Sequence, residues 1–145
     1  MKTIIQRVTK ASVKIDGKIY SQINQGLLIL LGITNTDTEK EVNWLVDKIA
    51  NLRIFSDEND KMNLSVQDIK GEILVVSQFT LYADCQKGNR PSFMGAARPE
   101  QAIPLYEKFI IRLKQIGIST KTGEFGAMMK VELTNDGPVT IDLEK

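Results

Sequence analysis

Residues 26–33 read GLLILLGI. A strand with one wet face alternates apolar and polar side chains, whereas this run is apolar on both faces, the pattern of a strand covered from both sides. Such cover in a mixed protein comes from helices packed on the sheet, and the flanking sequence supplies candidates. Upstream, KTIIQRVTKASVKI (2–15) is strand-like, Asp16-Gly17 is a good hairpin turn, and KIYSQI (18–23) follows as its partner. Downstream, Thr38 and Glu41 form a capping-box pattern that opens a helix. Val42, Leu45, Val46 and Ile49 then fall at the i, i+3, i+4, i+7 spacing of a core-facing stripe.

Further along, LRIF (52–55) reads as a short strand and GEILVVSQFTL (71–81) as a longer one, while residues 82–98 form a long aperiodic loop. Pro99 suits the first turn of a second helix, whose positions Ile103, Tyr106, Phe109, Ile110, Leu113 and Ile116 repeat helically until Gly117. Pro104 predicts a bend or a delayed start. From Ile118 onward, short strands surround KTGEFGAMM (121–129). KVEL and VTIDL then alternate on either side of Asn135-Asp136-Gly137-Pro138. Four turn formers suggest a hairpin, yet Asp-Gly alone would make one, and a proline directly after it removes a ladder donor. The pattern predicts a single α/β domain over residues 1–145: a mixed, mostly antiparallel or barrel-like sheet with two main helices.

Composition narrows the chemistry. Apolar residues make up 42% of the chain and charged residues 26%, as in globular proteins. The longest apolar run, LLILLGI, is far short of the roughly 20 residues that span a bilayer, so no membrane is expected, and with no signal-peptide pattern a cytoplasmic location is the default. The lone Cys85 agrees with a reducing compartment. With 19 basic and 18 acidic residues there is no global field to draw in a polyanion, so an RNA partner would have to meet a local patch. The chain contains no histidine, which removes the commonest general base and metal ligand and every Ser-His or Cys-His pair. No metal site or cofactor is expected. DENDKMN (57–63) has Lys61 and Met62 where a calcium loop needs an oxygen ligand and a glycine, so it reads as a solvated turn.

Three stretches could still carry chemistry. SQFTL (77–81) ends an apolar strand, where backbone N–H groups run out of ladder partners; Ser77, Gln78, Phe79 and Thr80 are either a strand surfacing or a donor-rich site. Thr80 lacks a base to activate it, and backbone donors aimed at an oxyanion are the better guess. QKGNRPSF (86–93) offers Lys87 and Arg90 to phosphates, or is an ordinary cationic loop. Gly137-Pro138 is either a turn or a proline whose isomer matters, since X-Pro bonds adopt cis at a cost of only about 0.5–1 kcal/mol.

QRVTKASV (6–13), RIFSDENDKMN (53–63), VVSQFTLYAD (75–84), NRPSF (89–93) and TNDGPVT (134–140), in this order, resemble the D-aminoacyl-tRNA deacylase family, also called D-tyrosyl-tRNA(Tyr) deacylase. The blocks span nearly the whole chain, and both signature motifs are intact. The resemblance implies a homodimeric hydrolase that frees tRNA from D-amino acids, with its active site at the subunit interface and the aminoacyl-tRNA 3′ end as partner. It implies a pocket lined by Ser77, Gln78, Phe79 and Thr80, with Phe125 and Met129 as the neighbouring wall. Gly137-Pro138 matches a cis motif that reaches into the partner's site, and Arg7 a position that holds it. Met128 departs from the family pattern, where an acidic residue is frequent. A rival, a non-catalytic RNA-binding module using Lys87, Arg90 and Phe93, is opposed by the near-neutral charge and by the expectation of no paired exposed aromatics.

Overall fold

The computed structural model describes residues Met1–Lys145. Eight strands and two helices run in the order β1 (Lys2–Ile15), β2 (Lys18–Ile23), β3 (Gly26–Gly32), α1 (Glu39–Asn51), β4 (Phe55–Ser56), β5 (Met62–Leu64), β6 (Glu72–Ser77), α2 (Pro99–Gln115), β7 (Ser119–Thr122) and β8 (Lys130–Glu144). The main sheet has the order β2-β1-β3-β6-β7, and β8 pairs along the free edge of β1. β1 runs antiparallel to β2, β3 and β8, whereas β3, β6 and β7 are parallel to one another. The sheet curls until its ends nearly meet: the Ser21 hydroxyl on β2 donates to the carbonyl of Thr122 on β7 at 2.7 Å. This is the mixed, barrel-like α/β sheet that the sequence predicts.

The two-sided burial of β3 explains the layering. Leu27, Ile29 and Leu31 join Ile73 and Val75 of β6 in the core shared with Val42, Leu45 and Ile49 of α1 and Phe109 and Leu113 of α2. Leu28, on the opposite face, packs with Leu74, Val76, Val8 and Val13 in a second, smaller core inside the curl. Where β3 and β6 begin, only glycine fits: a Cβ on Gly26 would lie 1.8 Å from the carbonyl oxygen of Glu72.

Both helices follow their sequence signals. Thr38 caps α1 in a complete capping box: its N–H donates to the Glu41 carboxylate at 2.7 Å, and Glu41 is held below its ordinary pKa by these Thr38 bonds. α2 starts at Pro99 and continues unbroken through Pro104, so that proline neither delays nor divides it. Its side chain is exposed, clear of the packed face.

Three strand expectations change. LRIF contributes only Phe55 to a two-residue strand, paired with Leu64 in a small separate sheet. The intervening DENDKMN segment is an exposed turn tied by its own aspartate: the Asp57 carboxylate accepts from the N–H groups of Asn59 and Lys61 and from the Asn63 amide, and the Asn63 bond foremost keeps its pKa low. The strand expected over 71–81 stops at Ser77, and Phe79–Tyr82 form a 3-10 turn instead. Finally, KVEL and VTIDL are not two strands of a hairpin. They are one strand, β8, that stays on β1 on both sides of a bulge at Asp136–Val139.

Candidate active site

At the end of β6 the chain keeps one more ladder bond, from the Gln78 N–H to the Leu31 carbonyl at 2.8 Å, and then winds into the 3-10 turn. Gly32 permits this. A Cβ there would sit 3.0 Å from the Leu81 Cβ and 3.1 Å from the Gln78 carbonyl oxygen, so the turn can lie against β3 only over a bare backbone. Within the turn, Leu81 N–H donates to Gln78 O and Ala83 N–H to Thr80 O. The N–H groups of Phe79 and Thr80, at its head, find no acceptor in the turn, and no side chain caps it. The Gln78 amide donates instead to the Thr80 hydroxyl.

Beside this turn opens a cavity of about 470 Å³, within the ~300–1,000 Å³ of small-molecule sites. Ser77, Gln78 and Phe79 supply one stretch of its lining and Phe125, Gly126 and Met129 another, with Ala102 of α2 and Leu31 of β3 among the remainder. The segment that carries Phe125 is anchored through one carbonyl: Val75 O accepts from Gly123 N–H and from the Tyr106 hydroxyl, both at 2.9 Å. The Tyr106 ring meets Phe125 edge-on at 5.8 Å, and burial raises the phenol's pKa well above its ordinary value, so it stays a neutral donor. None of the cavity's 15 lining residues has an ionisable side chain. Whatever reacts there is met by hydroxyl, amide and backbone dipoles against an apolar wall.

The second unusual element lies on β8. Gln6 pairs with Thr140 and Val8 with Asn135, so the single residue Arg7 faces the four residues Asp136–Val139. Two side chains staple the base of this bulge: Asn135 Oδ1 accepts from Val139 N–H at 3.2 Å, and Asn135 Nδ2 donates to Thr140 Oγ1 at 3.4 Å. Arg7 braces the bulge from within. Its Nε donates to the Asp136 carbonyl at 3.2 Å and pairs with the Asp136 carboxylate at 3.1 Å, while its other arm donates to Ile54 O at 2.6 Å. The Gly137-Pro138 peptide is cis, and Gly137 sits at φ +124°, where an L side chain is strained and a Cβ would lie 3.1 Å from the Arg7 guanidinium.

Of the residues singled out from sequence, Ser77, Gln78, Phe79, Phe125 and Met129 converge on one cavity, with Met128 exposed at its rim. Thr80 follows in the turn but does not line it. Arg7, Gly137 and Pro138 form a separate group that contributes nothing to the cavity of their own chain. Lys87 and Arg90 lie exposed on the loop that Asp84 and Ser92 pinch together by paired backbone bonds of 2.8 and 2.9 Å. The expectation of no paired exposed aromatics is corrected: Phe79 and Phe93 meet edge-on with centroids 5.1 Å apart, 56% and 39% exposed. Sequence reasoning also missed the apolar lining from Ile33, Ala97 and Pro99. The alternation of Leu31 and Ile33 was the available signal, but nothing marks those side chains as cavity rather than core.

The profile of the D-Tyr-tRNA(Tyr) deacylase family matches residues 4–144. A D-aminoacyl-tRNA deacylase of Fusobacterium nucleatum is 62% identical over 144 residues, covering 99% of this chain and 95% of its own. One of Exiguobacterium sibiricum is 57% identical over 145 residues, covering 100% of each. Among solved structures, a protein described as c-Myc DNA Unwinding Element Binding Protein superposes with a TM-score of 0.95 at 48% identity over 100% of this chain and 99% of its own. A probable eukaryotic D-amino acid tRNA deacylase shares the fold, with a TM-score of 0.81 at 14% identity over 98% of each chain.

Proposed function

This chain belongs to the D-Tyr-tRNA(Tyr) deacylase family, and from that premise we propose that it hydrolyses the ester of D-aminoacyl-tRNA, releasing the free D-amino acid and tRNA. The observation that carries the mechanism is the cavity without an ionisable side chain, flanked by the uncapped N–H groups of Phe79 and Thr80. Water adds to the ester carbonyl, and the oxyanion that develops takes hydrogen bonds from those backbone donors. The bond to the 3′ oxygen then breaks and that oxygen leaves with a proton. In a site lacking acid and base, the neighbouring ribose 2′-hydroxyl of the substrate is the group placed to relay the proton. An aminoacyl ester is already activated, so electrostatic help of this kind suffices.

Chirality is set by the other element. The Asp136–Val139 bulge serves a second copy of the chain: in a homodimer, Gly137 and Pro138 of one subunit form a stiff wall at the partner's cavity. An L-amino acid would drive its side chain into that wall, so selection works by exclusion rather than by grip. Two features support this reading. The bulge is braced by Arg7 as a rigid projection, and it takes no part in its own chain's cavity. In this reading the exposed Lys87 and Arg90 meet tRNA phosphates, and the reaction belongs in the cytoplasm, where tRNA is used.

The test is to incubate the protein with D- and L-tyrosyl-tRNA and follow release of the amino acid. Release from the D ester alone is expected. Release from both, or from neither, defeats the proposal, and the second outcome would favour the non-catalytic RNA-binding module, which the names of the relatives do not favour. Glycyl-tRNA sharpens the steric argument: glycine has no side chain to exclude and should be cleaved at least in part. Complete sparing of glycyl-tRNA would sink the wall.

A further inference from the structure

The Phe79–Phe93 pair is out of place as packing. Aromatic pairs stabilise folds when they are buried, yet both rings here remain substantially wet, beside Met94, which is 88% exposed. Phe79 is also part of the cavity wall, so the pair continues that site outward onto the surface. The chain between the rings carries Lys87 and Arg90 and a single carboxylate, Asp84 at the base of the loop, and every residue from 85 to 91 is exposed. Its base is fixed by the Asp84–Ser92 bonds, and the segment that follows is fixed to the end of β3. There the Thr34 hydroxyl bonds to Gly95 O, and Asn35 Nδ2 donates to Met94 O at 3.1 Å. Phe93 is thus held on a tied segment and not on a free loop tip.

Exposed aromatics on a segment that also carries cations, continuous with the cavity proposed to take the aminoacyl ester, are the arrangement that single-stranded nucleic acid uses: bases stack on rings, and phosphates meet Lys and Arg. A protein surface would be a poorer match for a wet ring pair whose connecting chain carries two free cations against one carboxylate, Asp84, which already accepts from the Gln86 N–H at 2.9 Å. Resting on the deacylase reading above, we infer that Phe79 and Phe93 form a second subsite that stacks the nucleobase preceding the terminal adenosine of the acceptor strand. The site reads a base by its π-face and not by its edge, so it gains affinity from any nucleotide at that position. It would let the enzyme distinguish an amino acid on RNA from an amino acid on a free nucleoside.

The experiment uses two non-hydrolysable competitors of D-tyrosyl-tRNA hydrolysis: the 3′-amide of D-tyrosine on adenosine, and the same amide on cytidylyl-(3′→5′)-adenosine. The dinucleotide amide should inhibit about 5- to 150-fold more tightly, the range of one stacked base. Phe93→Ala should erase that preference by weakening the dinucleotide amide alone, leaving the adenosine amide within about twofold. Equal inhibition of the wild type by both amides overturns the subsite, as does an equal loss for both in Phe93→Ala, which would mean the ring merely supports the fold. If Phe93→Ala changes the elution volume in gel filtration and weakens both amides, a second copy of the chain covers the pair, and the inference falls. Hydrolysis of D-tyrosyl-tRNA in the uninhibited reaction keeps these outcomes separate from failure of the deacylase reading.

Discussion

Two segments of this chain depart from strand geometry where their sequences alternate like strands, and they do so for opposite purposes. At Ser77–Tyr82 the departure makes a hollow: β6 ends, a 3-10 turn rolls over Gly32, and an apolar cavity opens beside uncapped N–H groups. At Asp136–Val139 it makes a projection: β8 continues, but four residues are pushed out opposite Arg7. The hollow is held by apolar contact and by bonds to Val75 O; the projection is stapled at its base by Asn135 and braced from within by one guanidinium with three hydrogen-bonding or ionic contacts. The difference teaches which element tolerates error. A cavity of dipoles and methyl groups degrades gradually, whereas a bulge whose only internal brace is one side chain loses its shape when that side chain is removed.

The largest expected effect is therefore at Arg7. Truncation in Arg7→Ala leaves Ile54 O and the Asp136 groups without their cation in a position where the arginine side chain is only 10% exposed. A cost of about 2–4 kcal/mol in urea unfolding is expected. If the projection is the chiral wall, kcat/KM on D-tyrosyl-tRNA should drop by about 100-fold or more, and the residual activity should lose its preference for D over L. Arg7→Lys should recover little, because an ammonium lacks the fork that reaches Ile54 and Asp136 at once. Wild-type enantiomer preference in Arg7→Ala would separate the bulge from selectivity altogether.

The hollow should break less sharply. In Gly32→Ala the new Cβ, 3.0 Å from Leu81 Cβ, pushes the 3-10 turn outward by a few tenths of an ångström. Overpacking of this kind costs about 1–3 kcal/mol, and the misplaced Phe79 and Thr80 donors should lower kcat about tenfold with little change in KM. An unchanged kcat alongside a clear loss of stability would mean that the donors are not aimed at the reacting carbonyl.

The same contrast explains what could be read from the sequence. The doubly apolar β3, the capped α1 and the Pro99 start of α2 are local patterns with local causes, and the fold follows from them. Phe79, Thr80 and Leu81 are good strand residues, and what turns them is Gly32, nearly fifty positions away, a tertiary contact that propensity does not see. Asn135-Asp136-Gly137-Pro138 has genuine turn chemistry, and the last three of the four do leave the ladder, together with Val139. Whether the chain then reverses or continues is decided by the register against β1, which no short window records. The cavity was half legible: its polar wall stood out as SQFTL, while its apolar lining arrives from separate segments and looks like core until they are assembled.

The smallest effect is expected at Thr80, and its smallness is what makes it informative. The Thr80 hydroxyl accepts a hydrogen bond from the Gln78 amide, which draws electron density away from the oxygen, and no lining residue of the adjacent cavity can take its proton. A nucleophile in that position would have neither base nor negative charge to activate it. Thr80→Ala removes one exposed side-chain bond and leaves the backbone N–H in place, so kcat on D-tyrosyl-tRNA should fall by less than about tenfold. Removal of a true nucleophile costs about 10⁴- to 10⁶-fold, so the two outcomes are far apart. Placing hydrogen for the 2′-hydroxyl on the terminal ribose should cost the wild type most of its activity, because it removes the hydroxyl proposed to relay the proton in a site without an ionisable side chain. Should Thr80→Ala be dead and the deoxy substrate be cleaved normally, the hydroxyl would be the nucleophile and the cavity's dipoles would play only a supporting part.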